Sequence, residues 1–241
     1  MPSILITRPT EAAETLAAEL QNLGYETVIE PLLAIKPLAT PRPAITPQAI
    51  MITSGNALGA LEKRRQEIGD LLALPCFCVG ARTAEKARAF GFRKIAGAAS
   101  DGDGLARRIG RAAGDSMLHI RGADADGKAA ALLEAAGWRV ADWPVYAAHP
   151  AAVFTPGTHA LLAGGKFDAV TVFSPRTARV LADLIEAATL GACCARLAAI
   201  CLSEAVTTPL QPLPWRHLMA AAAPTEDAVI DCLQKSCPVR P

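Results

Sequence analysis

Residues 117–148 read MLHIRGADADGKAAALLEAAGWRVADWPVYAA. An apolar run ends on Arg121, a helical stretch follows and stops at Gly137, and Trp138 leads into a strand-like piece carrying Pro144 and Tyr146. Residues 4–35, ILITRPTEAAETLAAELQNLGYETVIEPLLAI, repeat this plan. Arg8 to Gly24 and Arg121 to Gly137 are both spacings of 16, and Tyr25 and Pro31 fall under Trp138 and Pro144 at one offset of 113. The chain therefore carries two copies of one α/β unit.

The repetition extends outward from there. AIMITSGNALGAL (49–61) is answered by AVTVFSPRTARVL (169–181), with Ser54 under Ser174 at an offset of 120. Cys76–Val79 running into Gly80-Ala81-Arg82-Thr83 is answered by Ala199–Leu202 running into Ser203-Glu204-Ala205-Val206, at an offset of 123. Each copy closes with a smaller strand–turn–helix. The first is Lys94–Ala96 with Ser100-Asp101-Gly102-Asp103 capping a helix over Leu105–Arg111, and the second is His217–Ala221 with Pro224-Thr225-Glu226 opening a helix over Asp227–Leu233. Strands alternating with helices predict parallel sheets covered on both faces, with ligands beyond the carboxyl ends of the strands.

Those ends are where the polar residues gather: Thr7, Arg8, Thr53, Ser54, Asn56, Gly80, Arg82, Thr83, Arg121, Ser174, Arg176, Thr177, Ser203 and Thr225. Singly, each Ser, Thr or Asn is also explained as a helix cap. As a set repeated in both halves with four arginines, they predict a cleft that receives a polyanion, a polycarboxylate or phosphate, at helix N-termini. Proline-rich extended passages follow each first unit, at Pro31–Pro47 and Pro144–Pro156. Two divisions of the chain fit these features. One is a tandem split near Gly110–Asp115, and the other is a middle domain of about residues 40–145 inserted into one built from both chain ends.

Composition sets the outer limits. The 241 residues are 51% hydrophobic and 20% charged with a formal net charge of +1, which gives no overall electrostatic case for nucleic acid or a membrane surface. No apolar stretch reaches the ~18 residues of a membrane span, and a start on ILIT reads as no secretory signal. Seven cysteines without a small-scaffold pattern predict a reduced, cytoplasmic setting. No G-x-G-x-x-G follows a long strand, and neither a Walker A sequence nor a G-x-S-x-G elbow is present. Cys76 and Cys78 share one face of a strand without further ligands at zinc spacing, and read as core. His119, inside a strand, reads as a satisfied core or interface residue. Metal and nucleophilic catalysis find no support, so any chemistry rests on binding and modest acid help.

With the units laid out, the chain resembles the uroporphyrinogen-III synthase family. The matching stretches are ILITRP (4–9), MITSGNAL (51–58), CVGARTAEKARAFGF (78–92), HIRGADADG (119–127), AGWRVADWPVYAAHP (136–150), DAVTVFSPRTARVL (168–181) and AAAPTEDAVIDCL (221–233). Each is weak alone; their order and spacing together carry the resemblance. It implies two similar α/β domains, each a parallel sheet flanked by helices, joined by two extended crossing linkers. Domain 1 then comprises residues 1–36 and 150–241, and domain 2 residues 37–149. It implies a small-molecule substrate, the linear tetrapyrrole hydroxymethylbilane with its eight carboxylates, and no cofactor, nucleic acid or membrane partner. A cytoplasmic monomer is the accompanying expectation. Tyr146 matches the family's tyrosine on the inter-domain segment and takes the role of acid toward the departing hydroxyl; a tyrosine that only packs there is the alternative. One departure stands out. Where the family often has G-x-x-T-A, this chain has Ser203-Glu204-Ala205-Val206-Thr207, so the hydroxyl missing at Val206 is either lost or passed to Ser203 or Thr207. The residues leave a reading of another class open, a non-catalytic two-lobed binder or sensor of a polycarboxylate or tetrapyrrole.

Overall fold

A computed structural model describes residues 1–99, 102–110, 115–125 and 127–239. In chain order, β1 (Ser3–Ile6), α1 (Thr10–Asn22), β2 (Glu26–Ile29) and β3 (Leu33–Pro37) are followed by β4 (Ala49–Ile52), α2 (Asn56–Leu61), β5 (Pro75–Val79), α3 (Ala81–Phe90) and β6 (Lys94–Ala99). Then come α4 (Gly102–Ile109), β7 (Ser116–Gly122), α5 (Lys128–Ala135), β8 (Arg139–Pro150) and α6 (Pro156–Ala163). The remainder is β9 (Ala169–Val172), α7 (Pro175–Ala187), β10 (Ala198–Cys201), α8 (Glu204–Thr207), β11 (His217–Ala220) and α9 (Glu226–Ser236).

Two compact units divide the chain, one of Met1–Ala34 with His149–Pro241 and one of Ile35–Ala148. The first holds a sheet ordered β11-β10-β9-β1-β2, the second a sheet ordered β3-β8-β7-β4-β5-β6. Pairing is parallel throughout β2-β1-β9-β10-β11 and throughout β8-β7-β4-β5-β6. The two series correspond strand for strand. In each, the opening strand pair of one sequence copy joins the later strands of the other copy. Strands β3 and β8, where the division falls, run in opposite directions: Leu38 N–H donates to Val145 C=O at 2.8 Å and Ala151 N–H to Leu32 C=O at 3.0 Å.

The local causes are plain. The central strands β1, β4, β9 and β10 are short apolar runs buried along nearly their whole length, as a sheet covered on both faces requires. Their residues alternate between two cores: Leu5, Val170, Val172, Ala199 and Cys201 on one face, Ile4, Ile6, Ala169, Ala198 and Ile200 on the other. In the second unit Ile50, Ile52, Leu118 and Ile120 oppose Ala49, Met51 and Met117 in the same way. Helix α1 buries Ala13, Leu16, Ala17 and Leu20, one helical stripe, before Gly24 turns the chain at φ +90°.

Several features depart from the sequence-based expectation. Residues Glu62–Ala73 form tight 3-10-type turns kinked at Arg64, an element the pattern did not announce. Helix α6 was also not anticipated; Thr155 caps it, accepting from Thr158 N–H at 3.4 Å, and Pro156 begins it. The passage after Pro144 is not a free linker throughout, because β8 is a single strand of 12 residues. Proline, lacking its N–H, is tolerated inside that strand because the β7–β8 register shifts between Arg121 and Gly122, which face Pro144 and Tyr146. Of the expected first-copy cap, Ser100 and Asp101 lie outside the described residues, as does Arg111; the helix itself spans Gly102–Ile109.

Candidate functional site

At the carboxyl edge of the first unit's sheet the predicted residues cluster, each with its own employment. Thr7 is fully buried and donates through Oγ1 to Thr171 C=O at 2.8 Å, tying β1 to β9. Arg8 lies 4.1 Å over the Phe173 ring and pairs with Glu226 at the start of α9. Ser174 caps α7, accepting from Thr177 N–H at 3.1 Å and lying 2.8 Å from Thr177 Oγ1. Arg176, half-buried, lies in the same first turn. Thr225 caps α9 by accepting from Ala228 N–H at 3.2 Å. Ser203 precedes the four-residue α8 with no side-chain cap bond. Val206 is buried, and Thr207 Oγ1 donates back to Glu204 C=O at 2.8 Å. Thr207 thus spends its hydroxyl hydrogen on its own helix.

The second unit presents a matching edge. Ser54 closes the turn into α2, its Oγ accepting from Asn56 N–H at 3.3 Å and its C=O from Ala57 N–H at 3.1 Å. Gly80 stands at φ +81°, a region costly for side-chain-bearing residues, and its N–H donates to Ala99 C=O at 2.6 Å. It opens α3, where Arg82 is exposed and Thr83 buried. Arg121 is held at Asp142 Oδ2 (2.9 Å) and at Ala125 C=O (2.9 Å), while its Nε is buried without a partner among the described residues.

Two residues that sequence reasoning did not place in the site join this edge. His119 is 2% exposed, with Nδ1 2.9 Å from Asp142 Oδ1 and Nε2 3.2 Å from Thr53 Oγ1. Register puts Asp142 directly across from His119 on the neighbouring parallel strand. Burial of His119 is legible from its apolar neighbours, but its partners depend on that register. The Asp142 carboxyl sits below its ordinary value, chiefly through the His119 hydrogen bond, with Arg121 adding to it and partial burial opposing.

Tyr146 comes from β8 and is 9% exposed, packed in the second unit's core. Its ring end covers Gly122: a Cβ there would stand 2.7 Å from Cζ and 2.9 Å from the hydroxyl oxygen. That hydroxyl makes no hydrogen bond with another described residue. Cys76 and Cys78 are fully buried with their sulfurs 3.8 Å apart, and the neighbouring thiol together with burial pushes the Cys76 thiol up. Among the described residues no group of three His, Cys, Asp or Glu side chains could hold a metal ion. No helix among them is long and apolar enough to cross a membrane.

Comparison with known proteins follows the same outline. The structure of uroporphyrinogen-III synthetase from Helicobacter pylori matches with a TM-score of 0.68 at 16% identity, covering 98% of this chain and 99% of that one. A mutant uroporphyrinogen III synthase from the extremely thermophilic bacterium Thermus thermophilus matches with a TM-score of 0.62 at 15% identity, covering 98% of each chain. At such identities the likeness is one of fold. No curated protein sequence matches. The family described as HEM4, uroporphyrinogen-III synthase HemD, matches residues 14–231. With that match running across nearly all of both units, the chain belongs to the uroporphyrinogen-III synthase family.

Proposed function

We propose that the chain cyclises hydroxymethylbilane to uroporphyrinogen III with loss of water and inversion of ring D. The family match over residues 14–231 is the observation that carries this reading. Protonation of the hydroxyl on ring A lets the pyrrole nitrogen expel water and leaves an electrophilic azafulvene. The substituted carbon of ring D attacks it and gives a spiro intermediate. That intermediate breaks the bond between ring D and the methylene of ring C, leaving a second azafulvene on ring C, which the free α-carbon of ring D attacks with loss of its proton. The proton lost at closure replaces the one spent on the leaving hydroxyl, so acid is conserved over the cycle and the scheme uses no cofactor.

Spontaneous closure gives the uninverted isomer, so the protein's task is to hold the chain ends in the geometry that favours the spiro route. Eight carboxylates suit strand ends furnished with helix N-termini and arginines, those of Thr7–Arg8, Thr53–Asn56, Gly80–Thr83, Arg121, Ser174–Thr177, Ser203 and Thr225. Tyr146 is the acid in this reading, supported by its uncommitted hydroxyl. The chain acts as a cytoplasmic monomer on a small molecule, without nucleic acid or membrane, and static light scattering checks the monomer.

Separating the isomers tests the reaction. Hydroxymethylbilane generated in situ and treated with the protein yields mainly uroporphyrin III after oxidation. Type I alone, as in a protein-free control, overturns the reading.

A further inference from the structure

We propose that a pocket of about 330 Å³ inside the second unit is a proton-linked site for one carboxylate arm, built on the relay Asp142–His119–Thr53. The proposal rests on the polycarboxylate substrate inferred above. Thr53 and His119 line this pocket from the sheet, and Gly102, Asp103, Gly127 and Lys128 line it from the starts of α4 and α5. Its size takes an acetate or propionate arm and not four pyrrole rings. Two eight-residue helices thus begin at its wall, and the positive ends of their dipoles favour an anion.

The hydrogen-bond chemistry of His119 supplies the proton linkage. The carboxylate of Asp142 can only accept, so the Nδ1 facing it at 2.9 Å carries a hydrogen. What stands on Nε2, 3.2 Å from Thr53 Oγ1, then depends on the charge of the ring. In the neutral ring Nε2 is a lone pair, the Thr53 hydroxyl donates to it, and Thr53 offers the pocket only lone pairs. In the imidazolium, Nε2–H donates to Thr53 and frees the hydroxyl hydrogen to point outward. An arriving carboxylate needs a donor and so selects the second arrangement. Binding then takes up one proton, and affinity falls as pH rises because the filled state holds one proton more.

The charges around the ring bear on this sense. Asp142 on β8 balances an imidazolium, and Arg121 on β7 is pinned to the other oxygen of Asp142 at 2.9 Å. Lys128 on α5 favours an anion, while Asp103 on α4 opposes it. With the pocket empty Thr53 donates to Nε2, and the carboxylate arm is what tips the pair into the other arrangement.

The test follows the His119 ring nitrogens by NMR in the full chain labelled with ring-15N histidine, with His119→Gln identifying the signal. Succinate is the carboxylate probe, titrated into the wild type, Thr53→Val and Thr53→Ser. In the wild type, succinate moves both ring nitrogens to the imidazolium pattern and binds more weakly as pH rises. Thr53→Val binds at least tenfold more weakly with His119 unmoved, and Thr53→Ser restores both. With hydroxymethylbilane, Thr53→Val raises KM more than it lowers kcat, which distinguishes a substrate arm from a free small acid. Saturating succinate that leaves the His119 signals in place, or equal binding by Thr53→Val, overturns the proposal. Type III product with a silent His119 sinks this site and leaves the proposed reaction standing. A responding His119 without type III product supports the site and sinks the substrate reading.

Discussion

Tyr146 and Gly122 form one device. The ring lies where a side chain on residue 122 would be, so the absent Cβ sets the position of the hydroxyl. Removing that hydroxyl in Tyr146→Phe is expected to lower kcat by about 10–100-fold, the scale of one mild general acid, with KM little changed. Gly122→Ala keeps the hydroxyl but pushes the ring from its place; a comparable fall in kcat, at unchanged thermal stability, is the expected result. Asp142 gives a pH prediction. Its folded value lies below the ordinary 3.8, so its contribution to stability is complete above that value and is lost as pH falls towards the lower folded one. Denaturant titrations between about pH 5 and pH 2 should show this acid loss in the wild type and a flatter profile in Asp142→Asn. In the sequence, His119 stood out as a buried histidine and Asp142 did not stand out at all. A contact between parallel neighbours 23 residues apart is fixed by register, which no single stretch encodes.

Elements join through a few buried polar contacts. Glu30, 4% exposed at the end of β2, accepts from Thr155 N–H (2.8 Å), Thr155 Oγ1 (2.6 Å) and Thr158 Oγ1 (2.6 Å). It thereby fastens the start of α6 to the first unit. Glu30→Ala strands three donors and should cost about 2–4 kcal/mol in equilibrium unfolding, with Glu30→Gln losing less. A similar tie fixes the proline-rich passage after β3. Arg64 donates to Leu38 C=O (2.9 Å) and Thr40 C=O (2.8 Å), and Trp143 Nε1 donates to Thr40 C=O at 3.0 Å. Such ties explain what the pattern missed. Prolines at 37, 41, 43 and 47 reveal an extended chain, but the anchoring comes from residues remote in sequence. The apolar strands, the α1 stripe and the glycines after helices were legible because their causes are local. Helix α6 escaped because its window has few buried positions, Thr158 and Leu162 among eight residues.

At the scale of the molecule, the two sheets repeat one strand order with their sequence copies exchanged. The offsets of 113, 120 and 123 announced the repetition. They could not announce the exchange, because tandem and inserted divisions share the same periodicity and differ only in which strands pair across long stretches of chain. Both sheets carry their polar residues at the carboxyl edge, which is what a polycarboxylate substrate asks of them. This architecture is expected to redirect a closure that otherwise proceeds without ring inversion. The most direct measurement is the type III fraction of the product against protein concentration, with spontaneous closure to type I competing in the same vessel. Type III should rise to dominance with the wild type, and the curve for Tyr146→Phe should shift to about 10–100-fold more protein. A product that stays type I at every concentration would contradict the account.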